Sequence, residues 1–381
     1  MMKYCLALSR WIVGAVFIFS GFVKGIDPWG FQYKITDYLH AFGWDSLAWA
    51  AMPASFLLPF AEFIIGVGLL FSVLPRMASL LALLFMAYFT PLTLYLAIKN
   101  PVTDCGCFGD ALIITNWQTF YKNVVLIVLA IVLFVFRKKL TPLFPAKIGQ
   151  AGAALFTFAY VVLVFWSYRH EPIIDFRPYK VGVNIPEAMK IPEGAPTDLY
   201  SHSFFYKNLT TNEVKQFTET DYPWQDTLNW KFESMGEPIL VSKGYTPPIH
   251  DFFIQMEDGT DVKDFFFDDP KFTFILVAYN LEKSSAKKQQ QINELANKAK
   301  NAGMNFICLT SSTGTTLENF KQQHHPPYDF LFGDEITLKT IIRSNPGLLL
   351  TQKGTILAKW HYNDIPEIEA VQKKYTFQLT E

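Results

Sequence analysis

The chain has 381 residues, of which 50% are hydrophobic and 18% charged, and its mean hydropathy is +0.17. This composition is too apolar for an ordinary soluble enzyme, and the net charge of -1 argues against nucleic acid as a partner. The long uncharged runs are confined to the first 168 positions. We therefore expect a membrane part, whose first partner is the lipid bilayer, followed by a globular part.

Five stretches are long and apolar enough to cross a bilayer, which takes about 20 residues. They cover residues 6–25, 47–74, 77–98, 119–136 and 148–166. The first is interpreted as a retained helix, because no small-residue cleavage site follows it and Lys24 and Asp27 come directly after the apolar run. Glycines within these stretches, Gly14 and Gly21 or Gly66 and Gly68, predict close packing between helices.

Basic residues in short loops predict a cytoplasmic N-terminus. The side assigned to the cytoplasm holds six of them: Lys3, Arg76, Arg137, Lys138, Lys139 and Lys147. The opposite side holds three, Lys24, Lys34 and Lys99, together with acidic residues. We therefore expect a multi-pass protein of the cytoplasmic (inner) membrane of a bacterium, with all residues after Tyr168 in the periplasm.

The remainder of the chain divides into two patterns. Residues 169–247 are β-rich, with short alternating runs and turn residues between them. After a short strand at 251–255, the order becomes strand 272–278, helix 284–301, strand 304–309, a helix near 315–323, and a hairpin of 347–352 with 355–360. This succession predicts an α/β sandwich with a right-handed crossover.

Two segments of this second part, "HDFFIQMEDGTDVKDF" and "SNPGLLLTQKGTILAKW", resemble the thioredoxin-like fold of the peroxiredoxin and TlpA branch. The resemblance covers about residues 248–369 and implies that Pro346 is cis. It also places the redox cysteines of that family just after the first core strand, where this chain has Leu281 and Ser284. The domain is therefore expected to be redox-inactive alone, with Cys308 a buried apolar side chain.

The membrane part carries "LSRWIVGAVFIFSGFVKGIDP", "FAEFIIGVGLL", "DCGCFGD" and "NWQTFYKNVVLIVLA", which resemble the DoxX superfamily and, through "CGCFGD", its MauE-like branch. The resemblance spans residues 5–137. It implies an association with methylamine utilisation or with quinone-linked sulfur redox chemistry. For the MauE type it also implies assembly of a disulfide-rich periplasmic enzyme beside a separate thioredoxin-like partner.

The expected fold class is thus an α-helical membrane bundle followed by a soluble β-rich segment and an α/β thioredoxin-like domain. The bundle consists of a DoxX-like four-helix domain, residues 1–140, and one further span, residues 141–168. The β-rich extracytoplasmic segment covers residues 169–247, and the thioredoxin-like domain covers residues 248–381.

The candidate catalytic residues are Cys105 and Cys107. A bend at Gly106 would close a small, strained disulfide ring, and strain raises the reduction potential, which suits an exchange site. The flanking Asp104 and Asp110 would raise the pKa of the thiols and so slow thiolate formation. A redox pair, a structural disulfide and a metal site remain as alternatives, although Cys-x-Cys supplies only two metal ligands and no His lies nearby in sequence.

Glu62 is the third candidate, because an ionised side chain inside a span costs about 2.5–3.5 kcal/mol. We expect Glu62 to be protonated or paired, with Arg10 as its partner. Its role would be a structural helix contact or the handling of protons or of a quinone. Lys24 and Asp27, three positions apart at a helix end, are expected to form a solvated interfacial pair.

Two functions follow. In the first, Cys105 and Cys107 exchange with a periplasmic thiol partner and pass electrons to a quinone, the only cofactor suggested. In the second, the protein is a non-catalytic assembly scaffold whose cysteine-free thioredoxin-like domain binds an extracytoplasmic client. The absent cysteines at Leu281 and Ser284 favour the second function, and the strained pair favours the first. A transporter finds little support, since Glu62 alone is clearly intramembrane and ionisable.

Overall fold

The computed structural model describes residues 2–102, 104–142 and 144–375. It confirms the five predicted spans as helices that are long and apolar enough to cross a membrane. These helices are α1 (Met2–Ile26), α3 (Ala51–Leu70), α4 (Pro75–Lys99), α5 (Asn116–Val135) and α6 (Ala146–Arg169). A shorter helix, α2 (Pro28–Ala41), follows α1 and lies outside this set.

Local sequence fixes two helix starts next to the loop that carries Cys105 and Cys107. Asp27 caps α2, since its carboxylate accepts a hydrogen bond from Gly30 N at 2.8 Å, and Pro28 occupies the first turn, where its missing N–H costs nothing. Thr115 and Gln118 form a capping box at the start of α5. These caps set where α2 and α5 begin.

Helices α1 and α3 approach each other to backbone contact through glycines. A Cβ atom added at Gly21 would lie 2.6 Å from the Pro59 carbonyl oxygen, and one added at Gly66 would lie 2.7 Å from the Gly14 carbonyl oxygen. No side chain could occupy that space without moving a backbone. The predicted role of the glycines in helix packing is therefore confirmed for this pair of helices.

Residues 184–251 form a separate compact unit. It contains a short helix α7 (Ile185–Ala188) and the strands β1 (Leu199–Ser201), β2 (Ser203–Asn208), β3 (Val214–Thr218), β4 (Trp230–Met235) and β5 (Ile239–Ser242). The strands form a three-stranded sheet of order β3-β2-β4 and a two-stranded β1-β5 pair. Tyr206 packs edge-on against Phe217 and Phe232, and aromatic contacts of this kind supply the core of the unit.

Residues 252–375 form, after α8 (Lys263–Asp268), a five-stranded sheet of order β10-β9-β6-β7-β8. Its elements are β6 (Phe272–Val277), α9 (Gln289–Asn301), β7 (Asn305–Thr310), α10 (Gly314–His324), β8 (Asp329–Phe332), α11 (Glu335–Ile341), β9 (Gly347–Gln352), β10 (Thr355–His361) and α12 (Ile368–Tyr375). Strands β6, β7 and β8 are parallel, and β9 is antiparallel to β6.

This topology is the predicted βαβ crossover followed by a β-hairpin. Every residue of β6 is buried, as expected for a strand covered on both faces by helices. The Asn345–Pro346 peptide bond is cis, so this prediction is confirmed.

Two features of this domain differ from the prediction. The prediction of a short strand at residues 251–255 is wrong. Gln255 forms isolated β-bridges to Asp261 and to Phe332, and these bridges do not extend into a ladder. Strand β8 and helix α11 were not predicted. Both are short, and turn residues surround them, so neither shows a clear period along the sequence.

Both edges of the five-stranded sheet contact additional chain. Beside β10, Gly182 N donates to the Ile356 carbonyl at 2.8 Å, and Ile356 N donates to the Val183 carbonyl at 2.9 Å. Beside β8, Gln255 and Phe332 exchange two backbone hydrogen bonds of 2.9 and 2.7 Å. The chain that leaves α6 is thus hydrogen-bonded into the edge of the sheet.

Substituting Gly21 tests the close contact of α1 with α3. The Cβ of Gly21→Ala would meet backbone atoms of Pro59 and Phe63 within 2.7 Å, and overpacking of this kind costs about 1–3 kcal/mol. We expect a lower thermal unfolding midpoint of the purified protein in detergent. Ala15→Val, at an exposed position of the same helix, is the matched control and should leave the midpoint unchanged. An unchanged midpoint in Gly21→Ala would show that the helices separate freely.

Candidate redox site

The loop between α4 and α5 folds Cys105 and Cys107 against each other. Gly106 adopts a φ of +65°, a conformation that is costly for other residues. Its N–H donates to the Asp104 carboxylate at 2.8 Å, and its carbonyl accepts from Gly109 N at 3.1 Å. This turn brings the two sulfur atoms to 2.7 Å. Because a disulfide bond measures about 2.05 Å, the two sulfurs would need to approach by less than about 1 Å to reach bonding distance once an electron acceptor is present.

Helices α1 and α2 hold this turn through its own backbone. The Tyr38 hydroxyl donates to the Cys105 carbonyl at 2.7 Å, and the Ser20 hydroxyl donates to the Cys107 carbonyl at 2.9 Å. Lys34 forms an ion pair of 2.8 Å with Asp104. The Tyr38, Ser20 and Lys34 side chains therefore hold the cysteine turn in place without a ligand or partner.

The two thiols differ in environment. The hydrogen bond to Cys107, together with burial, raises the pKa of Cys105. The hydrogen bond from Cys105 lowers the pKa of Cys107, and the ammonium groups of Lys122 and Lys24 lower it further against the opposing effect of burial. Cys105 is buried, whereas Cys107 is partly exposed. These surroundings favour thiolate formation at Cys107 over Cys105, and the thiolate is the reactive form of a cysteine.

The predicted effect of the flanking aspartates is wrong for Cys107. Asp104 pairs with Lys34, and Asp110 accepts a hydrogen bond of 3.2 Å from Arg343. Both carboxylates are therefore directed to other cations, while Lys122 and Lys24 lower the pKa of Cys107. These cations could not be predicted from the residues next to the cysteines, because they belong to other helices and to the soluble domain.

Both cysteines line a partly open cavity of about 1120 Å³ formed by α1–α5 and the loops between them. Its walls are mostly aliphatic and aromatic side chains of α1–α5, including Phe17, Phe60, Phe85, Tyr88 and Phe89. Its polar groups include Ser20, Lys24, Tyr38, Glu62, Lys122 and Asn123. Ligand pockets with this balance of apolar walls and a few polar groups are typical of organic small-molecule sites.

Glu62 lies in this cavity wall and is paired with Lys24, not with Arg10 as predicted. The Lys24 ammonium lies 2.6 Å from the Glu62 carboxylate, and the two side chains are 6% and 10% exposed. The expected solvated pair of Lys24 with Asp27 is therefore also wrong, since Lys24 is turned into the bundle.

Arg10 contacts the opposite end of α3. It donates to the Leu69 carbonyl, to the Ser72 hydroxyl and, at 2.8 Å, to the Thr141 carbonyl. Lys24 is 14 residues further along α1, which is about 21 Å along a helix axis. The register of the antiparallel α1–α3 pair therefore decides which cation meets Glu62, and the sequence does not state that register.

Asp27 instead joins the membrane part to the thioredoxin-like domain. Its carboxylate lies 2.8 Å from the Arg343 guanidinium, which also reaches Asp110. Burial alone would raise the pKa of Asp27, but Arg343 and, further away, Arg177 hold it below its usual range. The Tyr33 and Tyr279 hydroxyls share a hydrogen bond of 2.9 Å at the same interface.

This interface involves the face of the thioredoxin-like domain that would carry its cysteines. Tyr279 lies two residues after the end of β6, and Arg343 lies three residues before the cis Pro346. Leu281 is buried and Ser284 partly buried, so neither position carries a thiol. Because Arg343 reaches Asp110 on the cysteine loop, the domain and the Cys105–Cys107 turn lie at the same end of the bundle.

The other two cysteines stand apart from the site. Cys308 is fully buried within β7, as predicted, and burial raises its pKa. Cys5 is exposed near the start of α1. In the part of the chain that the structure describes, no cluster of three or more His, Cys, Asp or Glu side chains could hold a metal ion.

Three residues of the site were not predicted: Ser20, Tyr38 and Lys122. Ser20 and Lys24 are four positions apart, so they lie on one face of α1, and that spacing was available as a signal. The sequence gave no signal for Tyr38 and Lys122, because their roles depend on how α2 and α5 pack around the cysteine loop.

Residues 2–136 match the family described as methylamine utilisation protein MauE. The membrane domain is MauE-like, as its motifs predicted. Residues 200–243 match a family described as a domain of unknown function (DUF8463), and no curated protein matches the chain. The wider DoxX grouping stays a prediction.

Among solved structures, the chain is similar to the solution structure of a putative protein disulfide isomerase from Bacteroides thetaiotaomicron. The identity is 15%, the match covers 34% of this chain and 87% of the other, and the TM-score is 0.27. The thioredoxin-like topology therefore rests on the strand order and the cis Pro346 described above.

Removing Arg343 tests the attachment of the thioredoxin-like domain. Arg343→Met leaves the Asp27 carboxylate without its cation, and truncating one partner of a buried charge pair costs about 2–5 kcal/mol. We expect faster amide hydrogen exchange in residues 335–346 of the full-length protein. Arg169→Met, at an exposed arginine of the same end, is the control. Equal exchange in both variants would contradict a charge-dependent attachment.

Proposed function

We propose that this protein is a membrane thiol–disulfide oxidoreductase in which Cys105 and Cys107 pass electrons from protein thiols to a quinone. The observation that carries the proposal is the position of the cysteine pair, which is ready to form a disulfide and lines a large apolar cavity. A structural staple would need no such cavity beside it. A metal site would need further ligands, and the described residues near the pair offer none.

The cavity fits an isoprenoid quinone. Pockets for drug-sized molecules measure about 300–1,000 Å³, so about 1120 Å³ accommodates a quinone ring and part of its tail. The aromatic and aliphatic walls suit both, while Lys24, Lys122 and Asn123 offer hydrogen-bond donors to ring oxygens. A bound quinone would accept two electrons and two protons.

Oxidation of the two cysteines supplies the two electrons and two protons that a quinone takes up. Oxidation of the pair breaks two S–H bonds, forms one S–S bond and releases two electrons with two protons. Two thiols of a client protein then reduce the new disulfide through a mixed-disulfide intermediate. The client leaves with a disulfide, and the pair returns to its dithiol form.

The proposed orientation places this chemistry in the periplasm. The basic residues Arg76, Arg137, Lys138, Lys139 and Lys147 belong to one end of the bundle. Of the cations counted for the other end, Lys24 pairs with Glu62 inside the bundle and Lys34 pairs with Asp104. The count of basic residues near the helix ends favours a cytoplasmic N-terminus.

Reporter fusions test this orientation. We expect a fusion after Lys139 to report the cytoplasm and one after Arg169 to report the periplasm, because α6 lies between them. A periplasmic alkaline phosphatase and a cytoplasmic fluorescent protein, each fused at both positions, provide reciprocal readouts. If both positions report the cytoplasm, α6 does not span the membrane and the proposed periplasmic placement of the domain after it is wrong.

Single cysteine variants test the exchange. Cys105→Ser leaves the partly exposed Cys107 beside the Lys122 and Lys24 ammonium groups, so its thiolate should attack the disulfides of oxidised client proteins and accumulate mixed disulfides in intact cells. Cys107→Ser leaves Cys105 buried, where burial opposes ionisation of the thiol, and should accumulate far fewer. Non-reducing electrophoresis after acid quenching and alkylation gives the readout, and Cys5→Ser and Cys308→Ser are the controls.

A non-catalytic assembly scaffold is the second candidate. Its support is the thioredoxin-like domain, which carries Leu281 and Ser284 where redox cysteines would stand and directs that face to the membrane part through Tyr279 and Arg343. The scaffold is favoured if neither single cysteine variant traps a partner and the Cys105→Ser/Cys107→Ser double variant keeps full function.

A further inference from the structure

The Lys24–Glu62 pair is a buried ion pair with an incomplete set of hydrogen bonds. One Glu62 oxygen lies 2.6 Å from the Lys24 ammonium, but the other makes no hydrogen bond to the residues that the structure describes. Buried carboxylate oxygens are almost always satisfied, and a buried ion pair is weak support for stability. The second Glu62 oxygen is therefore available to a further hydrogen-bond partner.

The pair lies between two cavities. Glu62 and Lys24 both line the apolar cavity that contains Cys105 and Cys107. Lys24 also lines a smaller, polar cavity of about 110 Å³, whose walls include Asp27, Lys34 and Asp104. Cations and carboxylates surround Lys24 on that side, so it connects the charged end of the bundle to the apolar interior.

The pair is also coupled to the cysteine turn. Ser20, one helical turn before Lys24 on the same face of α1, donates its hydroxyl hydrogen bond to the Cys107 carbonyl at 2.9 Å. The charges of Lys24 and Glu62 both act on the Cys107 thiol, in opposite directions. A proton on or off Glu62 therefore changes the charge experienced by Cys107.

We infer that Glu62, held by Lys24, takes up the proton that leaves the Cys107 thiol and transfers it to the electron acceptor in the apolar cavity. The inference rests on the proposed function. When the Cys107 thiol ionises, its proton moves to the Glu62 carboxylate, so that the site then holds a Cys107 thiolate and a protonated Glu62 carboxyl. On oxidation the S–S bond forms, two electrons leave the sulfurs, and the protons of Cys105 and Glu62 leave with them.

This assignment keeps the charge of the site constant. Before oxidation, the anion beside Lys24 and Lys122 is the Cys107 thiolate, and after oxidation it is the Glu62 carboxylate. Two protons and two electrons leave together, so the net charge in the apolar cavity does not change. Without a carboxylate to deprotonate, loss of the thiolate would leave an additional uncompensated positive charge in a medium of low dielectric constant.

The test is single-turnover oxidation of the full-length protein in nanodiscs. The pair is reduced with dithiothreitol, mixed with ubiquinone-1 or menadione, quenched with acid, and alkylated to count free thiols. We expect Glu62→Gln to slow oxidation by about 10²-fold or more, the usual contribution of a positioned acid or base. Reduction of the Cys105–Cys107 disulfide by dithiothreitol, which bypasses the acceptor, should keep its wild-type rate.

Two further variants separate chemistry from folding. Lys24→Met/Glu62→Leu removes both charges together, which buried ion pairs tolerate well, and should be as slow as Glu62→Gln. Glu171→Gln is the matched control, because Glu171 is also a paired carboxylate with one oxygen lacking a hydrogen bond. It lies in neither cavity wall as described and should react at the wild-type rate.

Infrared difference spectra of the wild-type protein give an independent readout. Reduction of the pair should produce the carbonyl band of a protonated carboxyl group, and Glu62→Gln should abolish that band. A structural role of Glu62 would move neither the band nor the rate.

The outcomes distinguish the two claims. If quinones oxidise Glu62→Gln and the double variant as fast as wild type, or if no carboxyl band appears, the proton-carrying role is wrong and the proposed function stands. If neither quinone oxidises the wild-type pair, the proposed acceptor is wrong, and the role of Glu62 falls with it.

Discussion

The contact of α1 with α3 through glycine is the constraint on which the site depends. Because Gly14, Gly21 and Gly66 carry no side chains, the two helices meet at backbone distance, and their antiparallel register is fixed. That register places Lys24 beside Glu62 and leaves Arg10 at the other end of α3. The same face of α1 carries Ser20, which holds the cysteine turn.

The elements of the fold were largely predictable because their signals are local. Twenty or so apolar residues can only be a span or a buried helix, and the alternation of strands and helices after residue 270 restricts the topology to a few arrangements. Strand β8 and helix α11 escaped prediction, because they are too short to show a period.

The sequence selects Cys105, Cys107 and Glu62 as candidate site residues, but it does not give their partners. Cys105 and Cys107 are identified by spacing alone, and Glu62 by its charge within an apolar run. Their electrostatics could not be inferred, because Lys122 and Lys24 reach Cys107 from separate helices, while Arg343, more than two hundred residues further along the chain, draws Asp110 away. Which charged residues pair depends on how distant segments pack, and this cannot be inferred from neighbouring residues in the sequence.

The covered edges of the five-stranded sheet restrict how the thioredoxin-like domain can recognise other proteins. An open edge strand presents unpaired N–H and C=O groups that accept a further strand from a partner or from another copy. Here Gly182 and Val183 are hydrogen-bonded to β10, and Gln255 is hydrogen-bonded to β8. A protein that binds by strand addition would first have to displace one of these segments. Displacement at β10 would also release the segment that connects α6 to the domain. The hydrogen bonds of Gly182 and Val183 that attach the domain to its own helix therefore also oppose strand exchange between neighbouring copies in the membrane.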